Sequence, residues 1–405
     1  MTTGSGPAGP LAGIRVIELA TVIMAPFGAQ LLGDLGADVI KVETGGGDGS
    51  RVMGGGPHPE LSGIALNLHR NKRSIAVDLK QARGRDVLLR LLADADVLIT
   101  NLRPGPLRRL GLDHESLRDE LPRLVYCQAQ GFRTSSEEAD LPAYDDIIQA
   151  LTGFPQLNSM GFGAMHFVPS TIADKVAGMF IAQGVLAALV ARSVNGAGQR
   201  IEVPMFDAAL AFNLVEHLSR AAVPGQEPGY GRVLTAHRGP HRTSDGWVAM
   251  MPYTDAHWTA LFAAVGEERL LEHEWFTDHR SRLVHADEVY GLLASILVRR
   301  TTTEWVSLGV EIGVPVSVVP ALQEIVDDPA HHRGVLRAAD HPVVGPYRSI
   351  AAPVVFAASG TPEPAPAPLV GQDTEVVLAE AGLGADEVAA LLADGVVRGP
   401  RGADR

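Results

Sequence analysis

The first half of the chain alternates short segments rich in Val and Ile with segments whose apolar residues recur at helical spacing. Such alternation requires right-handed crossovers and predicts a parallel sheet covered by helices. We therefore expect an α/β fold with a Rossmann-like parallel sheet in a large domain, accompanied by a smaller α+β domain. The predicted strands cover residues 14–19, 38–43, 74–78, 96–100 and 124–129, and the predicted helices between them cover 25–35, 81–92 and 106–110.

The length of 405 residues exceeds what one compact core supports, so the chain should divide. Two Pro-Gly pairs at 224–225 and 228–229 are typical of a linker. We predict a large domain over 1–222, a linker over 223–232 and a small α+β domain over 233–335. The last segment, 336–405, is expected to return to the large domain.

Composition excludes several classes of protein. The formal net charge of −13 argues against a nucleic-acid binder, which needs a basic face. The lone cysteine, Cys127, excludes an intramolecular disulfide and a zinc site built of cysteines. No metal-binding spacing of His or carboxylate residues occurs, so no metal is expected.

The ends of the chain and its apolar segments bear on location. Residues 1–10 form a tail of Gly, Pro and Ser without the charged-then-apolar pattern of a signal peptide. The longest apolar stretch, 176–191, is shorter than the ~20 residues of a membrane span. We therefore expect a cytoplasmic protein without a membrane partner.

The turn after the first predicted strand argues against a dinucleotide cofactor. Residues 20–26 read ATVIMAP and lack the glycines that let a backbone approach a pyrophosphate. We expect no permanently bound cofactor.

Asp174 is the main candidate for chemistry. It stands in the first turn of a predicted apolar helix, where unpaired N–H groups and the helix dipole favour an ionised carboxylate. An ionised carboxylate can attack an acyl group. The pattern Thr171-x-x-Asp174 equally fits a capping box, in which Asp174 only satisfies the helix end.

Basic residues are dense in two places. Arg70, Asn71, Lys72 and Arg73 precede a predicted strand, whereas the segment from Asn101 to Arg109 follows one. The second cluster lies where open α/β sheets bind ligands. Together the clusters suggest an anionic ligand with several phosphates.

Several segments in one order resemble the class III CoA-transferases of the CaiB/BaiF type. This family includes formyl-CoA and carnitine CoA-transferases and the α-methylacyl-CoA racemases. The matching segments are 11–18 (LAGIRVIE), 35–43 (LGADVIKVE), 71–79 (NKRSIAVDL), 101–112, 143–145 with 150–153, 172–174 (IAD), 198–203 (GQRIEV), 241–246 (HRTSDG) and 368–371 (PLVG).

The resemblance implies that Asp174 is the catalytic aspartate and that the chain forms an intertwined homodimer. It implies contacts to CoA from Ile23, Arg70, Asn71, Lys72, Arg73, Asn101, Leu102, Arg103, Arg109, Ala143, Tyr144 and Asp145. One position departs from the family, since Thr44 stands where many relatives have an arginine that holds the nucleotide. We expect Lys41 or Arg51 to compensate.

The implied reaction transfers CoA from an acyl-CoA to a carboxylic acid through an aspartyl anhydride and an aspartyl-CoA thioester. Two alternatives stay open. An α-methylacyl-CoA racemase needs two acid–base groups, and Tyr144 stands where racemases have a histidine. A phenol with a pKa near 10 is poorly suited to that role. The other alternative is a CoA-binding subunit without catalysis.

Overall fold

The computed structural model describes residues 9–400, so the N-terminal tail lies almost entirely outside the described residues. The strands, in chain order, are β1 (Arg15–Leu19), β2 (Asp38–Glu43), β3 (Lys72–Val77), β4 (Val97–Thr100), β5 (Val125–Gln130), β6 (Arg200–Pro204), β7 (His241–Arg242), β8 (Trp247–Met250), β9 (Val316–Val318), β10 (Leu336–His341), β11 (Gly345–Ile350) and β12 (Val397–Arg398). The α-helices are α1 (Met24–Asp34), α2 (Gly63–Leu68), α3 (Ala82–Ala93), α4 (Pro104–Leu110), α5 (His114–Leu117), α6 (Asp145–Leu151), α7 (Phe154–Phe162), α8 (Ile172–Asn195), α9 (Met205–His217), α10 (Asp255–Val265), α11 (His279–Val284), α12 (Ala286–Leu297), α13 (Thr302–Glu311), α14 (Leu322–Asp327), α15 (Pro329–His332), α16 (Thr374–Glu380) and α17 (Ala385–Ala393).

The predicted parallel sheet is confirmed. Seven strands lie in the order β12-β3-β2-β1-β4-β5-β6, and only β12 runs antiparallel to its neighbour. All five strands predicted in the first half are present. The carboxyl ends of the six parallel strands therefore meet at one edge.

The two faces of the sheet differ in polarity. Ile17, Ile40 and Ile75 belong to an apolar core that also includes residues of α3, α16 and α17. Because side chains alternate along a strand, Glu18 and Lys41 point to the opposite face. They are neighbours in register, and both are fully buried.

Helices α1 and α8 pack closely. A β-carbon at Gly28 would lie 2.7 Å from Ile181, and one at Gly178 would lie 2.9 Å from the backbone oxygen of Met24. Small residues at both positions let the two backbones approach each other. The start of α8 is thereby fixed beside the start of α1.

The chain forms two compact units with boundaries different from those predicted. Within residues 9–400, the first unit contains 9–152, 169–212 and 333–400, and the second contains 153–168 and 213–332. The predicted linker, 223–232, lies within the second unit. Its second Pro-Gly pair lies against the end of α9, since the Gly229 N–H donates to the His217 carbonyl at 2.7 Å.

The second unit has its own core beside the three-stranded sheet β7-β8-β9. Trp258, Phe262 and Trp305 are buried there, and the Trp305 indole N–H donates to the Leu297 carbonyl at 2.6 Å. These contacts agree with the predicted α+β character of this region.

Helix α8 is longer than the apolar stretch seen in the sequence. It has 24 residues, and within 9–400 it alone has the length and hydropathy to cross a membrane. That is weak evidence for a span, because the core helix of a soluble protein passes the same test. In this fold α8 packs on α1, and 44% of an apolar 18-residue stretch within it is buried.

Candidate active site

The first turn of α8 positions Asp174. The predicted capping box is wrong, because the Thr171 side chain makes no cap hydrogen bond. The Asp174 N–H donates instead to Oδ1 of Asp145, on α6, at 3.0 Å. The helix end is thus satisfied by a carboxylate 29 positions earlier in the chain. Within residues 9–400 the carboxylate of Asp174 makes no hydrogen bond or ion pair.

Asp174 faces a cavity of about 340 Å³ at the carboxyl edge of the sheet. Its walls come from the turn after β1, the segments after β4 and β5, and the loop before α6. The lining residues are Thr21, Val22, Met24, Asn101, Leu102, Arg103, Pro106, Gln130, Gly131, Ala139, Leu141, Pro142, Ala143, Tyr144, Asp174 and Met205. The cluster after β4 therefore lies where the parallel-sheet rule predicts.

The carboxyl group of Asp174 has a strongly perturbed pKa. Burial raises it to about 7, the negative charges of Asp145 and Asp146 add to this effect, and Lys175 opposes it. Asp174 is 8% exposed. The expectation that the helix start keeps this group readily ionised is therefore outweighed by burial and by neighbouring acids.

Ala143, Tyr144 and Asp145 divide between two roles. The first two line the cavity, and the Tyr144 side chain is 67% exposed. Asp145 is buried behind the cavity, where its second carboxylate oxygen accepts from Gln149 Nε2 at 2.6 Å. Both of its oxygens are therefore engaged.

The cluster at positions 70–73 is held in ion pairs outside this cavity. Arg70 pairs with Asp34 at 2.5 Å, Lys72 with Glu18 at 2.7 Å and Arg73 with Asp38 at 2.6 Å. Asn71 Nδ2 also donates to Asp34, at 2.7 Å. None of the four residues lines the Asp174 cavity. The cause is position, since they lie at the amino end of β3 beside acidic groups of neighbouring elements.

Two further residues implied by the resemblance lie apart from the cavity walls. Ile23 is buried at the start of α1, and Arg109 is exposed on α4.

A second cavity, of about 220 Å³, lies where β1, β2 and β3 end. Its lining is mostly apolar, and it shares Thr21 and Leu102 with the Asp174 cavity. Leu79 and Lys80 line it but were absent from the predicted site. Because they directly follow a predicted strand, the sequence could have placed them at the ligand-binding edge of the sheet.

Thr44, the departure from the family pattern, also lines this second cavity. The two expected substitutes for the missing arginine are engaged elsewhere. Lys41 pairs with Glu18 and Asp48 at 2.6 and 2.7 Å, and Arg51 pairs with Glu43 at 2.5 Å. All of these side chains are buried, so neither cation is free to replace an arginine at position 44.

The chain is similar to known CoA-transferases over most of its length. The model of CoA-transferase family III matches residues 11–374. A protein named probable fatty acyl-CoA transferase Rv3272, from Mycobacterium tuberculosis, is 33% identical over 80% of this chain and 86% of its own length. The succinate–glutarate CoA-transferase of Agrobacterium fabrum is 31% identical over 92% of this chain and 95% of its own.

A solved structure has the same fold. The crystal structure of a CaiB/BaiF family protein from Brucella suis superposes with a TM-score of 0.78. It is 28% identical in sequence and covers 92% of this chain and all of its own.

Proposed function

Since this chain belongs to CoA-transferase family III, we propose that it moves CoA from an acyl-CoA to a carboxylic acid through covalent intermediates on Asp174. One observation carries the proposal. A carboxylate that makes no hydrogen bond within 9–400 faces a cavity at the ligand-binding edge of the sheet, while a second carboxylate, Asp145, caps its helix. Capping and nucleophilic attack are thereby divided between two residues.

The chemistry follows from a carboxylate nucleophile. Asp174 attacks the thioester carbonyl, CoA leaves as a thiolate, and a mixed anhydride remains. The thiolate attacks the aspartyl carbonyl and releases the donor acid, which leaves an aspartyl-CoA thioester. The acceptor carboxylate attacks that thioester, which forms a second anhydride between the acceptor and Asp174 and releases CoA as a thiolate. The thiolate then attacks the acyl carbonyl of the anhydride, which gives the new acyl-CoA and regenerates Asp174.

The two cavities suggest how CoA lies. Its thioester end would reach Asp174, and its nucleotide would occupy the mostly apolar second cavity, with the chain passing Thr21 and Leu102. Arg103 lines the first cavity and Lys80 the second, and both are exposed to solvent. These cations are therefore available to the phosphates.

Racemisation is the second candidate, because a pKa of about 7 also suits an acid–base group. It needs a partner on the other face of the substrate carbon. Asp145 is engaged through both oxygens, and a tyrosine stands at position 144. Incubation with a chiral 2-methylacyl-CoA in deuterated water separates the candidates, since only a racemase incorporates deuterium without an acceptor acid.

The test of the main proposal uses succinyl-, acetyl- and aromatic acyl-CoA donors with a panel of carboxylic acids. We expect CoA exchange and an enzyme–CoA adduct that hydroxylamine cleaves. Asp174→Asn should lose both, whereas Asp146→Asn, a matched change of an exposed neighbour, should keep both. Normal exchange by Asp174→Asn would overturn the assignment, and the absence of any adduct would favour a CoA-binding subunit.

We also propose that the chain acts as a homodimer in the cytoplasm. Ile147, Leu151, Met179 and Phe180 on α6 and α8 are between 39% and 53% exposed in the single chain. Apolar residues grouped on adjoining helices are typical of a covered surface. Analytical ultracentrifugation should give a mass near 86 kDa, twice the 42.8 kDa of one chain.

A further inference from the structure

The turn between β1 and α1 contains a strained residue. Val22 has a φ of +71°, in the left-handed region. A β-branched residue rarely adopts this conformation, because its Cβ is crowded by the backbone. The conformation persists only where surrounding contacts hold it, and such residues concentrate at functional sites.

Two side chains hold this turn at its centre. The N–H of Val22 donates to Oδ1 of Asp48 at 2.9 Å. Asn101 accepts from the N–H of Thr21 at 3.0 Å and donates to the Thr21 carbonyl at 2.7 Å. Three backbone groups of two consecutive residues are thus bound by side chains from distant segments.

Two buried lysines hold the flanks of the turn. Lys41 Nζ donates to the Ala20 carbonyl at 2.9 Å, and Lys72 Nζ donates to the Pro26 carbonyl at 2.8 Å. Both lysines pair with Glu18 on β1, Lys41 from the adjacent strand β2 and Lys72 from β3 beyond it. Lys72, which the sequence suggested as a CoA ligand, therefore contacts the backbone of the first turn of α1 instead.

Charge holds Asp48 in place. It is 4% exposed, and one of its oxygens lies 2.7 Å from Lys41 Nζ. Its other oxygen accepts from the N–H groups of Val22 and Ser50, each at 2.9 Å. Burial raises the pKa of Asp48, but Lys41 and these N–H groups outweigh that effect and lower the pKa below its ordinary value. The group is therefore ionised at neutral pH.

The turn is a common wall of both cavities. Thr21, Val22 and Met24 line the Asp174 cavity, and Ala20 and Thr21 line the second. A change in the path of the Val22 backbone would move both walls. It would also shift the start of α1, against which Gly178 of α8 packs.

We propose that Asp48 is a positioning residue for CoA transfer, which holds the strained Val22 turn in the conformation that shapes both ligand cavities. This inference rests on the proposed function for its substrate. Asp48 also lines the second cavity. Recovery of activity by Val22→Gly, which a direct contact between Asp48 and the ligand would not give, distinguishes action through the turn from such a contact.

The test compares Asp48→Asn with a double variant. An amide has one oxygen, so it cannot accept both from Lys41 and from the two backbone N–H groups. We expect Asp48→Asn to lower kcat/KM for CoA exchange at least tenfold and to weaken CoA binding in calorimetry. Adding Val22→Gly should restore much of both losses, because glycine adopts a positive φ without being held. Val22→Gly alone is the reference for the double variant.

Asp34→Asn is the matched control. Like Asp48→Asn, it removes a buried carboxylate from an ion pair, in this case with Arg70. Asp34 does not contact the turn. Asp34→Asn should leave kcat/KM within threefold of wild type, and its melting temperature is measured beside that of Asp48→Asn. If the two variants lose activity in proportion to stability, or if Val22→Gly restores nothing, the role of Asp48 is only structural and the inference is overturned.

Calorimetry separates this inference from the proposed function. Wild-type protein that binds CoA but exchanges none would overturn the proposed function. The binding losses of Asp48→Asn, and their recovery by Val22→Gly, would still decide the role of the turn. Wild-type protein that binds no CoA would overturn both.

Discussion

Replacing Asp174 with asparagine should stabilise the folded protein, and the gain should depend on pH. The carboxyl group has a pKa of about 7 in the folded chain and an ordinary value of 3.8. The folded state therefore binds this proton more tightly than the unfolded state. The stability that this proton confers is complete below pH 3.8 and is lost as pH rises through 7.

The size of the effect follows from the two pKa values. At about 1.4 kcal/mol per pKa unit, the ionised group costs the folded state about 4 kcal/mol above pH 7. Asparagine cannot ionise and avoids this cost. An unfolding entropy of roughly 2.1 cal/mol/K per residue over 405 residues converts 4 kcal/mol into an increase of about 5 °C in melting temperature.

Differential scanning calorimetry at a series of pH values measures this difference. Asp174→Asn should melt about 5 °C above wild type at pH 8, and the two curves should converge near pH 4. Asp146→Asn, at the exposed neighbouring position, should give a shift several times smaller. Equal melting temperatures at pH 8, or a gain that does not change with pH, would refute the burial of an ionised carboxylate at this position.

Four more outcomes follow from the same geometry. The logarithm of kcat/KM should fall with unit slope below pH 7, because only ionised Asp174 attacks; a flat profile down to pH 5 would contradict this role. Asn101→Ala should raise the KM for acyl-CoA roughly 10- to 30-fold by removing two hydrogen bonds to Thr21, each contributing about 1 kcal/mol. Arg73→Ala should cost under about 1 kcal/mol in denaturant unfolding and leave CoA affinity unchanged in calorimetry, since its ion pairs are partly exposed. Gly178→Ala should cost about 1–3 kcal/mol in the same unfolding assay, because its β-carbon would lie 2.9 Å from a backbone oxygen of α1.

Local pattern was enough to predict the sheet and part of the site. Each strand of the first half is a short run rich in Val and Ile, and burial on both faces of a parallel sheet selects such runs directly. Once the sheet is parallel, residues that follow a strand must lie at its ligand-binding edge. Asn101, Leu102 and Arg103 were placed correctly at that edge for this reason. Leu79 and Lys80 obey the same rule and could have been found by applying it to β3.

Ion pairs between residues distant in the chain could not be predicted from the sequence pattern. Lys72 and Arg70 looked like ligands for phosphate because their acidic partners, Glu18 and Asp34, are 54 and 36 positions away. A cluster of basic residues has the same appearance in sequence whether it faces solvent or a buried carboxylate. The unusual φ of Val22 was equally hidden, since Val is not a residue that signals a left-handed turn.

The sequence by itself determined the strand–helix alternation, the membership of a CoA-transferase family and the placement of Asp174 in the first turn of a helix. Only the tertiary structure decided the state of that carboxylate. The fold buries Asp174 and brings Asp145 against its N–H, which raises its pKa and relieves it of capping. The physical reason is that desolvation and charge interactions depend on distances in space, and residues 29 positions apart in sequence become neighbours only when the sheet and its helices assemble.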